Sequence, residues 1–301
     1  MKLGFRGFIF GFAFCISALI QAETYVIQYA INDYPGTESD LKGCVNDATE
    51  LKSVLMDKFS VSDSDIKTYL DSDANVENFI AGWQWVVDHA KAGDQVIFQY
   101  SGHGAQLDST EEPDGKEEVI VLADEKLVSG KFFNEIANDL KTRGIDATLI
   151  FDSCFSGGMS RDPYTFNVMG HKLKVENRAM KTMGDVTSRG LGVVAKAKLE
   201  SLRKRVRSKD ATTLGGSFAF LLAASEDKPS ADLQFKDDIP SHGAFTYILL
   251  AALAENSEMK LDEVMKTIQK ILADNKFDQS PTAEYSTEKR SELPLVIKGG
   301  N

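Results

Sequence analysis

The chain has 301 residues, 43% of them hydrophobic and 26% charged, the balance of a soluble globular protein that can build a sizeable core without disulfide staples. Its 45 acidic residues outnumber 34 basic ones for a net charge of −11, which argues against nucleic acid as a partner.

Lys2 and Arg6 precede an uncharged, mostly apolar run over residues 8–20, and Gln21 and Ala22 then lead into Glu23. This is the layout of a secretory signal peptide cut after Ala22. The run is shorter than the roughly 18 residues of a spanning helix, so a retained membrane anchor is the weaker of the two readings. Residues 1–22 are expected to be removed and the remainder, 23–301, to be secreted or periplasmic. Their loss takes two basic residues and leaves 32 against 45, a net charge of −13. It also takes Cys15, so Cys44 and Cys154 remain: one bridge by count, and no disulfide framework.

A strand is predicted over 24–30, followed by the turn residues Asn32, Asp33, Pro35 and Gly36. Leu41, Cys44, Val45, Ala48, Leu51 and Leu55 recur at helical spacing, with Ser39 and Asp40 as capping groups ahead of them. The order continues with a strand at 66–70, a helix over 76–91 and a strand at 95–100. A hairpin-like pair is expected around 118–122, then a helix near 131–141 and a strand at 147–151. A strand at 217–224, helices at 244–254 and 261–273, and a last strand at 293–297 complete the series. Strands alternating with amphipathic helices predict an α/β fold, a mostly parallel central sheet flanked by helices on both faces. One stretch breaks the rhythm: residues 160–210 carry 13 Lys or Arg against five acids. It is read as a basic insertion over about 160–213, structureless apart from a helical piece at 193–206.

Two stretches share a grammar. "VIFQYSGHG" (96–104) and "TLIFDSCFSGG" (148–158) each run from a buried strand straight into small and reactive residues. In parallel sheets, ligands sit beyond the carboxyl ends of the strands. His103 and Cys154 are therefore expected on the same sheet edge. A thiol of pKa about 8.5 needs a base within reach to become a nucleophile at neutral pH, and His103 is the candidate base. Gly104 leaves its N–H unobstructed, and with the N–H of Cys154 it can hold an oxyanion. Gly157 and Gly158 let the chain leave the nucleophile without crowding a substrate. His89, His171 and His242 are scattered in the sequence, show no zinc-site spacing, and are read as helix, insertion and cap or surface residues.

"GCVNDA" (43–48), "YSGHGAQ" (100–106), "DSCFSG" (152–157), "LLAASEDKPSAD" (221–232) and "GAFTYILL" (243–250), in that order, resemble the metacaspases, caspase-like cysteine peptidases. The resemblance implies a caspase-like fold with His103 and Cys154 as the catalytic dyad. The caspase pentapeptide Gln-Ala-Cys-x-Gly is absent, so cleavage after Asp is not implied. Asp152, two residues before Cys154, should project to the same side of its strand, and Asp47 lies on the flank of the first helix's apolar stripe. Two carboxylates in a pocket wall attract Arg or Lys. The resemblance places them, with Ser101, in the pocket for a basic residue before the cleaved bond. A surface Asp47 and a capping Asp152 form the bland alternative. The function expected is a secreted, self-processing cysteine endopeptidase acting on proteins or peptides after Arg or Lys, with self-cleavage in the insertion at 203–207, Arg178 or Arg189. A legumain- or gingipain-like peptidase and a non-catalytic caspase-fold scaffold are the alternatives. No cofactor is required. The acidic run Asp108, Glu111, Glu112, Asp114, Glu117, Glu118 and Asp124 raises calcium activation, as in several metacaspases, against a solvated acidic hairpin.

Overall fold

The computed structural model describes residues 22–36, 39–110, 115–154, 164–168, 171–177, 193–208, 215–225, 230–234 and 240–297. The apolar leader, Gly157 and Gly158, Arg178 and Arg189, and the acids Glu111, Glu112 and Asp114 lie outside them. No helix among the described residues is long and apolar enough to cross a membrane.

The first half follows the predicted alternation: β1 (Thr24–Ala30), α1 (Cys44–Phe59), β2 (Ile66–Leu70), α2 (Val76–His89) and β3 (Gln95–Ser101). A three-stranded antiparallel sheet follows, made of β4 (Gly104–Asp108), β5 (Lys116–Val121) and β6 (Leu127–Ser129), where a simple hairpin was expected. Next come α3 (Gly130–Thr142), β7 (Asp146–Asp152), β8 (Tyr164–Val168), β9 (His171–Asn177) and α4 (Val193–Ser208). The chain ends with β10 (Phe218–Leu222), β11 (Ala231–Gln234), β12 (His242–Gly243), α5 (Ala244–Glu255), α6 (Leu261–Asp274), β13 (Thr282–Tyr285) and α7 (Glu288–Ser291).

The central sheet has the order β13-β10-β7-β3-β1-β2, parallel except for β13 at one edge. Period-two alternation divides its side chains between two cores. Val26, Ile97, Ile150 and Leu221 pack with α1, α5 and α6 on one face. Ile27, Phe98, Phe151 and Phe220 pack with α2, α3 and the buried Leu199 and Leu202 of α4 on the other. A buried polar ladder crosses the first face. Thr68 Oγ1 donates to Gln28 Oε1 (2.8 Å), Gln28 Nε2 to Gln99 Oε1 (3.0 Å), and Gln99 Nε2 to Ser101 Oγ (2.9 Å).

Three expectations need correction. Residues 293–297 form no strand; Leu295 and Val296 fill the α6-side core, and the edge strand is β13, paired antiparallel with β10. The insertion is not structureless, since β8 and β9 pair as a hairpin within it. The first helix begins at Cys44, and its capping groups are not Ser39 and Asp40. Asn32 Oδ1 accepts the N–H of Cys44 (2.9 Å), and Asp232 accepts those of Lys42 and Gly43 (both 3.2 Å). Both partners are remote from those N–H groups in sequence, which is why local reading misplaced the cap.

α4 is anchored by Arg203, whose side chain is 8% exposed and pairs with Asp139 (3.2 Å), Glu135 (2.5 Å) and Glu200 (3.3 Å). Residues 203–207, one of the expected self-cleavage sites, lie within α4. Arg203→Ala should take the guanidinium away from the buried Asp139 carboxylate and cost about 3 kcal/mol in chemical denaturation. Pairing it with Asp139→Asn should recover part of that loss.

Candidate active site

The site is built where β3 and β7 end. The two strands run parallel in register, with Ser101 opposite Asp152, and the N–H of Gly102 donates to the Asp152 carbonyl (3.3 Å). His103 and Cys154 each lie two residues past that last pair, on the common edge expected.

His103 is fixed through its backbone and its ring. Its backbone N–H donates to Tyr34 Oη (2.8 Å), and its carbonyl accepts Tyr100 Oη (2.7 Å) and the N–H of Val121 (3.0 Å). Its ring Nε2 lies 2.6 Å from the Ser39 carbonyl. A carbonyl can only accept, so Nε2 carries the hydrogen and the neutral ring keeps its lone pair on Nδ1. That is the tautomer a general base requires, with Nδ1 as the basic atom. Gly104, the first residue of β4, is buried opposite Ile120.

Cys154 is fully buried, and neither it nor the buried Cys44 forms a disulfide. The N–H of Ser230 donates to its sulfur (2.8 Å), and the Ser230 carbonyl lies 3.3 Å from that sulfur. The chain segment leading into β11 thus starts at the thiol.

The two carboxylates expected in the substrate pocket, Asp47 and Asp152, each accept hydrogen bonds from the start of α5. Asp47, in the first turn of α1, accepts the N–H of Gly243 on both oxygens (3.0 and 3.2 Å). Asp152 accepts Ser230 Oγ (2.6 Å) on one oxygen and the N–H and Oγ1 of Thr246 (3.0 and 2.7 Å) on the other. The positive end of the helix dipole favours both charges there. Neither acid is at the surface, both being fully buried, so the reading of Asp47 as a surface acid fails; each does cap α5. Ser101 is buried on the same sheet face as Asp152. Gly43 allows this packing: a Cβ there would sit 2.5 Å from the His242 carbonyl carbon and 2.6 Å from Asp232 Oδ1.

Sequence reading missed Ser230, Thr246 and Asp232, and it misjudged His242. Far from a cap or surface residue, His242 is 2% exposed, with Nδ1 3.0 Å from Asp47 Oδ1 and Nε2 3.2 Å from Glu50 Oε1. Adjacency to "GAFTYILL" was the available signal. A cavity of about 470 Å³ lies on the opposite, α3-side face, lined by Phe133, Phe151, Phe220, Glu118 and Glu284 among others, and by neither His103 nor Cys154. No cluster of three or more metal-ligating side chains occurs among the described residues. The described acids of the acidic run diverge: Asp108 pairs with Lys116, Glu117 takes Ser129 Oγ, and Asp124 accepts the N–H of Val76 (3.4 Å). Glu111, Glu112 and Asp114 of that run lie outside the described residues.

Burial alone would lower the His242 pKa, but the hydrogen bond and charge of Asp47, with the charge of Glu50, carry it above its usual value. With acceptors on both ring nitrogens, the imidazolium is the form that satisfies both. A raised folded-state pKa makes this contribution complete below about pH 6.5 and lost as pH climbs through the raised value. The Tm gap between wild type and His242→Gln should therefore be widest near pH 6 and close toward about pH 9. A gap independent of pH would show that His242 does not titrate.

Comparison with known proteins places this geometry. The Caspase domain family model (Peptidase_C14) matches residues 27–291. Metacaspase-1A of Aspergillus terreus is 27% identical over 282 residues, covering 84% of this chain and 68% of its own. Metacaspase-1 of Pyricularia oryzae is 29% identical over 280 residues, covering 84% and 69%. Metacaspase-1A of Neurospora crassa is matched over only 61% of its length, so the chain spans about two thirds of the curated relatives it matches. Among solved structures, protein GSU0716 from Geobacter sulfurreducens superposes with a TM-score of 0.60 at 17% identity, covering 92% of this chain and 99% of its own. Caspase-1 from Spodoptera frugiperda gives 0.52 at 9% identity, covering 87% and 86%, and shares the fold. The matched span takes in both strand ends and the segment that meets the thiol, and the chain belongs to the caspase-domain family of cysteine peptidases, of metacaspase type.

Proposed function

We propose that this cysteine peptidase cuts peptide bonds after Arg or Lys, through Cys154 as nucleophile and His103 as base. The observation that carries the specificity is the gathering of Asp47 and Asp152 at the start of α5, beside the segment that holds the Cys154 sulfur. Ser230 and Thr246 are neutral donors, which hold the Asp152 charge without cancelling it. A guanidinium or ammonium complements two buried carboxylates, and an acidic side chain is repelled.

In this reading His103 Nδ1 takes the thiol proton and the sulfur attacks the scissile carbonyl carbon. The N–H groups of Gly104 and Cys154 hold the developing oxyanion. The protonated imidazole then gives its proton to the leaving amine, and water hydrolyses the thioester. The leader supports export to the periplasm or the medium, and the strong negative charge sets nucleic acid aside as a partner.

Cys154→Ala and His103→Ala should each lower hydrolysis of an Arg peptide by at least ~100-fold with an unchanged melting temperature. Either variant keeping a tenth of wild-type activity would remove that residue from the mechanism. A panel with Arg, Lys, Asn and Asp before the bond separates this enzyme from a legumain-like one. Asp47→Asn and Asp152→Asn should each cost about 2 to 5 kcal/mol of transition-state binding on Arg substrates. Unaltered kcat/KM in both would move the pocket elsewhere.

A further inference from the structure

We propose that Gln279 is a positioning residue for the nucleophile: its side-chain amide holds the Ser230–Ala231 peptide against the Cys154 sulfur and so sets how readily the thiol ionises. The inference rests on the peptidase reading above and adds a residue that lies in none of the motifs around His103 and Cys154.

Ser230 is the group in contact with the reacting atom. Its N–H donates to the Cys154 sulfur (2.8 Å), its carbonyl lies 3.3 Å from the same sulfur, and its Oγ donates to Asp152 (2.6 Å). A donor aimed at sulfur favours the thiolate and a carbonyl favours the thiol, so a small turn of this one peptide changes which form is preferred. What fixes the peptide therefore matters to the chemistry. Ser230 stands just ahead of β11, whose pairing with β9 begins at Ala231 and with β12 at Asp232.

The fixing group comes from elsewhere in the chain. Gln279, 48 residues beyond Ala231, lies just ahead of β13 and is 6% exposed. Its Oε1 accepts the N–H of Ala231 (3.2 Å), and its Nε2 donates to the Ala223 carbonyl (2.8 Å) and approaches Ser230 Oγ at 3.5 Å. Ala223 is itself tied to the nucleophile strand, since its N–H donates to the Phe151 carbonyl (2.9 Å). One amide thus joins the end of β10, beside β7, to the start of β11, in the place of a further ladder pair between them. An amide is the uncharged side chain that both accepts from an N–H and donates to a carbonyl, and without it two buried main-chain groups lose these partners. The turn that carries Gln279 is set by the pairing of β13 with β10 and by Gln269 of α6, whose Nε2 donates to the Pro281 carbonyl (2.9 Å).

The test titrates the Cys154 thiolate by its ultraviolet absorbance, as the difference between each protein and the same protein carrying Cys154→Ala, beside the pH profile of Arg-peptide hydrolysis. Gln279→Met is of similar size and uncharged, so it removes both hydrogen bonds without altering the charge of His103, Asp152 or the adjacent Asp278. It should leave about fivefold less thiolate at the pH of the wild-type midpoint and lower kcat by a similar factor on the acid side, with KM within about twofold and the loss recovered at higher pH. Gln269→Ala is the control: it loosens the same turn and leaves the clamp, so it should lower the melting temperature and keep the thiolate titration of wild type. If Gln279→Met does not fold, Gln279→Glu keeps the acceptor for Ala231 and loses the donor to Ala223, and it should move the titration in the same direction. A titration unmoved in the variant that folds, or moved as far in Gln269→Ala as at Gln279, would overturn the inference. A set of titrations that move as expected in a protein that cleaves no Arg peptide would overturn the function proposed above and not the clamp.

Discussion

The in-register parallel pairing of β3 with β7 is the constraint on which the site depends. Each strand delivers one reactive side chain, and neither has a fixed position except through the ladder that ends at Ser101 and Asp152. A one-residue slip would send every side chain of one strand to the other face, exchanging Asp152 for Phe151 at the α5 side. Two different cores guard against that slip. The aromatic face, with Phe98, Phe151 and Phe220, and the aliphatic face, with Ile97, Ile150 and Leu221, do not fit each other's places. The Gln28–Gln99–Ser101 ladder adds a polar check, since a shifted register would bury its amides without partners.

The same register concentrates negative charge in the interior. Buried carboxylates are costly unless hydrogen-bonded, and Asp47 and Asp152 are satisfied by the start of α5 and by side-chain hydroxyls. That solution satisfies the acids without an arginine or lysine among these donors. His242 is a further partner of Asp47, one whose charge depends on pH.

Most of the α/β alternation was legible because it rests on local period: β1 and β2 appear with the predicted limits, and β3, β7, α2 and α6 within two residues at either end. His103 and Cys154 were legible for the same reason, each being a reactive residue at the end of a continuous apolar run. What escaped was decided at long range. β11 is four residues long and exists because Ser230 meets Cys154 and β9 meets its edge. β13 alternates weakly, and the stronger apolar run at 293–297 drew the assignment although it only plugs a core. Gly243 as partner of Asp47, Ser230 as partner of Asp152, and Asp232 as partner of the Gly43 N–H lie some 80 to 200 residues away in sequence, where no spacing rule reaches.

The strand order carries a last consequence. β10, which follows α4 in the chain, is inserted between β7 and β13, while β9, which precedes α4, pairs with β11, which follows it. Two halves divided between β9 and α4 would be woven through each other. Assembly of such a pair from separate unfolded pieces becomes bimolecular, its midpoint then varying with protein concentration, whereas the uncut chain folds as one molecule. A nick at that place would thus turn an equilibrium fold into one that persists through its unfolding barrier, a molecule assembled once and not readily reassembled after denaturation.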